Sequence, residues 1–315
     1  MSAQLTETLP ATGPGLARAA RILNEGGLVA FPTETVYGLG ADATNDTAVA
    51  RIYAAKGRPT FNPLIVHCAD LDAVRELVQW NHLAQLAADA FWPGPLTLVL
   101  PMRIDTMISR LVTAGLDTIA VRMPAGETAR ALLRETGRPI AAPSANSSGR
   151  ISPTRAGHVL DDLSGRIDAV LDGGPCPVGL ESTILGLSGT PTLLRPGGVT
   201  RDALQEALGT RVAERHATDR ISAPGQTRLH YAPRARVRLN ATEFHDGEAR
   251  LGFGDTECDL NLSPSEDLVE AAANLFEYLH RLDATGAEVI AISPIPHIDL
   301  GIAINDRLSR AAADR

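Results

Sequence analysis

One segment gathers an ammonium, a guanidinium, an amide and an imidazole within twelve residues: KGRPTFNPLIVH, 56–67. Lys56, Arg58, Asn62 and His67 are the side-chain types that hold an anion, and the apolar run ending on His67 predicts a strand that carries them to a sheet end. A second segment, APSANSSGRISPT at 142–154, offers Ser144, Asn146 and Ser152 where a strand gives way to a loop and then a helix start. Hydroxyls, amides and backbone N–H groups at such a junction suit an anion. Arg122 and Arg195 each close an apolar strand. Taken singly, all have ordinary readings. Cations near a helix C-terminus complement its dipole by about 0.3–1 kcal/mol, a lone histidine is often a satisfied core residue, and an arginine is often one half of an ion pair. Together they resemble a divided anion site. Lys56 stands out further, because it is the only lysine among 29 basic residues. An ammonium meets an anion at a point and a guanidinium meets it as a planar fork, so the two are poor substitutes for each other.

Other chemistries are disfavoured. Gly38, Gly40 and Ala43 have the GxGxxA spacing of a dinucleotide loop, but Arg58 stands where the ribose-binding acid belongs and Pro32 interrupts the approach. No GxxxxGK[ST] loop and no GxSxG elbow occurs in the chain. The formal charge is -8, and residues 1–210 and 211–315 are both net acidic, which argues against a bulk polyanion-binding module. Three cysteines, far apart and never as CxxC, indicate neither a disulfide framework nor a zinc site. No apolar run approaches the roughly 18 residues of a spanning helix, and the N-terminus has no basic start followed by an apolar stretch. A soluble, cytoplasmic protein without a membrane partner is the expectation.

The elements that must position these residues alternate between strand and helix. A helix is predicted over 15–26, then a strand at LVAF, a helix capped by Asn45 or Asp46 that runs to Gly57, and a strand over 64–68. Asp70 opens an amphipathic helix, LTLVL and TIAVRM read as strands, and Ser152 with Pro153 reads as a helix cap followed by a first-turn proline. ESTILGL and PTLLRPG form a hairpin, which implies a mixed sheet. Residues 211–233 have no apolar periodicity and read as an interdomain linker; beyond them, RVRL, RLGFG and EVIAIS surround a helix over 265–283, giving a second, small α/β unit.

In order along the chain, PTETVYGLGADA, KGRP with NPLIVH, FWPGPLTLVL, TIAVRMP, APSANSSG, ESTI and LLRPG, followed by HYAP at 230–233 and INDRLSRAA at 304–312, resemble the Sua5/YrdC/YciO family in its two-domain Sua5-type form. The resemblance implies a YrdC-like α/β domain over 12–210, a twisted mixed open sheet with a large concave cavity. It also implies a linker over 211–233 able to lie over that cavity as a lid, and a smaller Rossmann-like α/β domain over 234–315. The implied activity is nucleotidyl transfer: L-threonylcarbamoyladenylate and pyrophosphate made from L-threonine, bicarbonate and ATP, for N6-threonylcarbamoyladenosine at position 37 of tRNA. Carried over by motif, Lys56 and Arg58 are the catalytic pair at the triphosphate. Asn62, Thr118, Ser144, Asn146, Ser152, Arg195 and Tyr231 complete the ATP side, and Thr35, His67, Arg122 and Ser182 hold the threonine. Magnesium (Mg2+) would arrive on the ATP phosphates rather than on protein ligands. Downstream tRNA threonylcarbamoyl-transfer proteins are the implied partners, with direct binding of tRNA or double-stranded RNA weak. Two rivals remain: an RNA-binding module using the same cationic concavity, and a carbamoyl-nucleotide hydrolase or transferase of the same fold.

Overall fold

The computed structural model describes residues 5–215, 223–226 and 230–313. The first half of the chain runs β1 (Glu7–Pro10), α1 (Gly13–Asn24), β2 (Val29–Pro32), β3 (Tyr37–Asp42), α2 (Asp46–Lys56), β4 (Ile65–His67), α3 (Leu71–Arg75), α4 (His82–Phe91), β5 (Leu96–Pro101) and β6 (Thr118–Arg122). Then come α5 (Glu127–Thr136), β7 (Ile140–Ala141), α6 (Ala156–Leu163), β8 (Ala169–Asp172), β9 (Thr183–Gly186), β10 (Thr192–Arg195), α7 (Arg201–Leu208) and β11 (Ala213–Glu214). These strands form one mixed sheet in the order β1-β8-β2-β3-β7-β4-β6-β5-β9-β10-β11. The hairpin read from the sequence is the antiparallel pair β9 and β10.

One face of the sheet is covered throughout by apolar residues of α2, α4, α6 and α7, among them Val49, Ile52, Ala84, Val159 and Leu204. The opposite face is covered only in part, where α1 and α5 pack Leu23, Leu132 and Leu133 against Phe31, Ile140 and Leu171. No helix of this layer covers the stretch of β4, β6, β5 and β9, where Ile65, Ala120, Val99 and Ile184 meet Ala223. Side chains alternate along a strand, so His67 shares this face with Ile65, and Arg122 shares it with Ala120. This uncovered stretch is where the sheet is free to build a cavity.

The remainder of the chain forms β12 (Arg236–Arg238), β13 (Ala249–Gly252), β14 (Leu260–Asn261), α8 (Leu268–Asp283), β15 (Val289–Ile292) and α9 (Asp299–Ala311). Its sheet has the order β12-β15-β13-β14, and all three pairings are parallel. Leu251, Leu275, Phe276, Leu279, Ile290 and Ile304 fill its core, and that core is continuous with Val36, Ile151 and Leu180 of the first domain. The approach is close: a Cβ at Gly179 would lie 2.5 Å from the Ala272 carbonyl oxygen on α8.

Three local expectations are corrected. Ser152 and Pro153 do not start a helix; Arg155 occupies the N-cap position of α6, because the Ser152 hydroxyl is taken by Glu181 and the Pro153 carbonyl accepts from Tyr37 N–H. Asp70 does cap a helix, but only Leu71–Arg75, after which Val78 bridges to Met102 and Asn81 caps α4 afresh. Part of 211–233 is not linker, since Ala213 and Glu214 pair in parallel with β10; residues 216–222 and 227–229 of that span lie outside the described residues. Gly38 and Gly40 sit inside β3, not in a phosphate loop. Gly40 is there for space, as its Cβ would come within 2.8 Å of the Phe31 ring and 3.0 Å of Ile140. Gly40→Ala should therefore lower the unfolding free energy in urea by about 1–3 kcal/mol, whereas Gly157→Ala, on the open side of α6 with nothing within 4 Å, should not lower it.

Candidate active site

A cavity lies on the uncovered stretch of the first sheet. Its wall is drawn from segments far apart in sequence. β3 and the turn before it supply Thr35 and Gly38, β4 supplies His67 and β6 supplies Arg122. The chain after β7 supplies Ser144, the approach to β9 supplies Glu181 and Ser182, and β10 supplies Arg195. The described part of the 211–233 segment closes over it with Pro224, Gly225, His230 and Tyr231.

The helix that delivers the KGR group explains its own placement. Asn45 accepts from Ala48 N–H at the start of α2, and Gly57, with φ 61°, ends the helix in the left-handed conformation that glycine adopts freely. Lys56 thus stands in the last turn and Arg58 just beyond it, its N–H bonded to the Tyr53 carbonyl. Both side chains are buried. The Lys56 ammonium donates to the Ser144 carbonyl (2.5 Å) and to the Asn146 carbonyl, so it pins the 144–146 loop. Arg58 donates to the carbonyls of Asn62 (3.1 Å) and Pro63 (2.7 Å). Arg195 grips Ser182, with 2.9 Å to its carbonyl and 3.2 Å to its hydroxyl.

Among the described residues, none of Lys56, Arg58 and Arg195 has a carboxylate within ion-pair distance. Burial pushes the Lys56 ammonium well below its ordinary value, with Arg58 adding to the effect. Burial also pushes Arg58 down to about 10, with Arg195 contributing, and lowers Arg195 itself. Backbone carbonyls and the Ser182 hydroxyl accept hydrogen bonds from these three side chains.

Arg122 is treated differently. It donates to the Glu34 carboxylate (2.5 Å), the Thr35 hydroxyl (3.0 Å) and the Gly94 carbonyl (3.2 Å). Five donors less three leaves one N–H on each terminal nitrogen, enough for a two-pronged contact. Burial raises the Glu34 carboxyl, but Arg122 and the backbone N–H of Ala125 outweigh it and hold it below its ordinary value. The Thr33 and Thr35 hydroxyls are 2.8 Å apart, and Thr97 and Ser182 hydroxyls 2.7 Å apart, which fixes both walls beside Arg122.

The structure brings eight of the thirteen residues singled out from the sequence to the cavity wall: Thr35, Arg58, His67, Arg122, Ser144, Ser182, Arg195 and Tyr231. Five stand off it. Lys56 lies beneath the 144–146 loop, and Asn146 supplies a carbonyl to it while its amide N–H2 group bonds Ser147 and Arg150 carbonyls. Asn62 is buried behind Arg58. Ser152 faces Glu181, and Thr118 is at the far end of β6, paired with Pro101. Five buried side-chain atoms here have no hydrogen-bond partner: Asn62 Oδ1, His67 Nδ1, Asn146 Oδ1, His230 Nδ1 and Tyr231 Oη. Buried polar atoms are normally satisfied, and such a group of them points to a polar ligand. Glu34, Glu181 and His230 were missed from the sequence, although each adjoins a residue that was named. Carboxylates look wrong in an anion site until their arginine partners are seen.

The described residues contain no group of three or more His, Cys, Asp or Glu able to hold a metal. Glu181, which lines the cavity, and Glu34, behind Arg122, are each engaged by arginine and by hydroxyl or backbone donors.

Two family models match the chain: Sua5_yciO_yrdC, described as telomere recombination, over residues 21–197, and a threonylcarbamoyl-AMP synthase C-terminal domain over 199–313. A threonylcarbamoyl-AMP synthase of Bacillus subtilis is 42% identical, covering 99% of this chain and 96% of its own. Another, of Pyrococcus abyssi, is 42% identical over 94% of each. A crystal structure of P. abyssi Sua5 complexed with L-threonine superposes with a TM-score of 0.89 at 39% identity, over 98% of this chain and 97% of that one.

Burial, with Arg122 adding to it, drives His67 down to about 3. Its folded value lies far below the ordinary 6.5, so the unfolded chain takes a proton that the folded one refuses. The contribution is nil above pH 6.5 and destabilises as pH falls from there toward 3. His67→Gln should therefore reduce the fall in unfolding free energy between pH 6 and pH 5 by about 1.4 kcal/mol per pH unit, measured by urea titration at each pH.

Proposed function

The chain belongs to the Sua5–YciO–YrdC family, and we propose on that premise that the cavity converts L-threonine, bicarbonate and ATP into L-threonylcarbamoyl-AMP and pyrophosphate. The enzyme is a nucleotidyltransferase whose product is the activated donor for tRNA threonylcarbamoyladenosine modification. The observation that supports this reading is the set of three buried cations, Lys56, Arg58 and Arg195, with no carboxylate within ion-pair distance among the described residues. A triphosphate supplies the compensating charge.

The assignment follows from how each cation is held. Arg122 keeps two N–H groups free beside Thr35, His67 and Ser182, a planar fork for the threonine carboxylate. Arg58 and Arg195, with the Ser144 hydroxyl and Tyr231, face the nucleotide. Lys56 has a third N–H beyond the two given to carbonyls, and its charge lies behind the 144–146 loop where pyrophosphate departs. Cations around the amino-acid side also favour threonine's free amine over its ammonium. That amine takes up bicarbonate with loss of water to give a carbamate, whose oxygen attacks the α-phosphorus in line as the bond to pyrophosphate breaks. Positioning and charge stabilisation supply the acceleration, so no protein nucleophile is required. The donor set does not fit a protein-held magnesium, and the ion enters with the nucleotide, carried by phosphate oxygens and water. His230, Tyr231 and Pro224 exclude water from a product prone to hydrolysis. Downstream, proteins that transfer the threonylcarbamoyl group to tRNA receive it. No helix among the described residues is long and apolar enough to cross a membrane.

Mass spectrometry of purified protein with ATP, magnesium, bicarbonate and threonine should detect threonylcarbamoyl-AMP, and omitting threonine or bicarbonate should abolish pyrophosphate release. Release that persists without either would favour a hydrolase of the same fold. Lys56→Ala should slow pyrophosphate release by about tenfold or more, and near-normal turnover in that variant would refute its role. Arg122→Lys, which keeps the charge but loses the fork, should raise the threonine KM about tenfold and leave ATP binding close to wild type.

A further inference from the structure

We propose that Arg307, on α9 of the second domain, is a positioning residue for the nucleotide half of the cavity, holding Ser152 through Glu181 and backing the ring of Tyr231. The inference rests on the reading that this half takes ATP. Arg307 is fully buried, at 0% exposure, and is the largest such side chain among the described residues. It lies on the apolar face of α9 with Ala303, Ile304, Leu308 and Ala311, a place where a leucine would ordinarily stand.

All but one of its contacts lead to the same place. Arg307 Nε donates to Glu181 Oε2 at 2.8 Å, while Glu181 Oε1 accepts from the Ser152 hydroxyl. One terminal nitrogen donates to the Pro196 carbonyl at 2.9 Å, immediately after Arg195, and the other to Asp306 at 2.7 Å. The guanidinium carbon lies 5.3 Å from the centre of the Tyr231 ring. Three residues on the nucleotide side, Ser152, Arg195 and Tyr231, are thus braced by one side chain that does not itself line the cavity.

Stability alone does not account for it. The domains are already joined by a continuous apolar core and by Arg155–Glu277 and Arg150–Asp283 at the rim. Replacing a buried ion pair by apolar residues is often neutral or stabilising, so a pair at this depth needs another reason. Tyr231 provides one. It has φ 64°, a left-handed conformation uncommon for a non-glycine residue, and so must be held by its surroundings. Its hydroxyl is unpartnered, and a Cβ on Gly225 would touch both that hydroxyl, at 3.1 Å, and the Arg195 side chain, at 2.8 Å. A cation over the ring fixes its plane without occupying its edge. The second domain, on this account, sets the shape of the first domain's site.

The test uses the full chain with Arg307→Met, Arg307→Lys, Glu181→Gln and the double variant Arg307→Met/Glu181→Gln, each confirmed folded by thermal melting. Calorimetry then measures the affinity for ATP with threonine present, and for threonine alone. Arg307→Met and Glu181→Gln should each weaken ATP by about tenfold and leave threonine within about threefold. The double variant should be no worse than the poorer single, because the two act as one unit. Arg307→Lys, with a charge but no fork, should lose less ATP affinity than Arg307→Met, and it carries the test if Arg307→Met does not fold. ATP affinity unchanged in the folded variants, additive losses in the double variant, or ATP and threonine weakening in step would each overturn the proposal. Wild-type protein that binds threonine but not ATP would instead overturn the reading of the cavity on which it rests.

Discussion

Arg58 and Arg195 on the cavity wall and Lys56 beneath its 144–146 loop are buried with, among the described residues, no carboxylate within ion-pair distance, and this imbalance sets the rest of the design. An unpaired charge in a protein interior is costly to desolvate, and a fold retains three only if something else answers them. Here backbone carbonyls do so in part: those of Ser144 and Asn146 for Lys56, Asn62 and Pro63 for Arg58, and Ser182 for Arg195. These carbonyls belong to loops and strand ends, so the sheet must end several strands at one place. The gap in the helical layer over β4, β6, β5 and β9 provides that place.

Two further arginines in the same region follow the opposite rule. Arg122 is paired with Glu34 and Arg307 with Glu181, and in both pairs the carboxyl is held below its ordinary value despite burial. Pairing lowers the net charge and fixes geometry, which suits a residue that must orient a ligand or a neighbour. Absence of pairing preserves charge, which suits a residue that must neutralise one. The division explains why carboxylates are tolerated beside a polyphosphate: each is covered by a guanidinium before the ligand arrives.

Much of the architecture was legible because it rests on local periodicity. The apolar runs at LVAF, LTLVL and TIAVR are strands, Asn45 and Gly57 bound a helix, and the ESTI and LLRPG hairpin makes the sheet mixed. What failed were features decided by distant partners. Ser152 reads as a cap until Glu181 claims its hydroxyl, and the helix that Asp70 opens ends after Arg75, before Val78 bridges to Met102. Eight of the thirteen residues named through shared motifs line one cavity, yet the layering was not legible. Nothing local in KGRP says that Lys56 lies beneath a loop while Arg58 lines the wall. Glu34, Glu181 and Arg307 were invisible as site residues because their meaning is pairwise, between segments 88 and 126 residues apart.

The single lysine has a physical account in this setting. Across the rest of the chain basic residues are arginine, whose charge persists at any physiological pH. The histidines at the cavity are kept neutral by burial, His67 at about 3 and His230 well below its ordinary value, so the positive charge on the cavity wall is carried by arginines. Lys56 occupies the one position where a planar fork is the wrong shape. Two carbonyls two residues apart on a tight loop converge on one atom there, and a tetrahedral ammonium on a slim stem reaches both while keeping a donor in hand. A guanidinium would spread its donors in a plane, push the 144–146 loop outward and carry the Ser144 hydroxyl away from the wall. The composition of the whole chain and the geometry of one loop thus express complementary requirements: arginine where a planar fork fits, and a point contact at the position where a fork cannot.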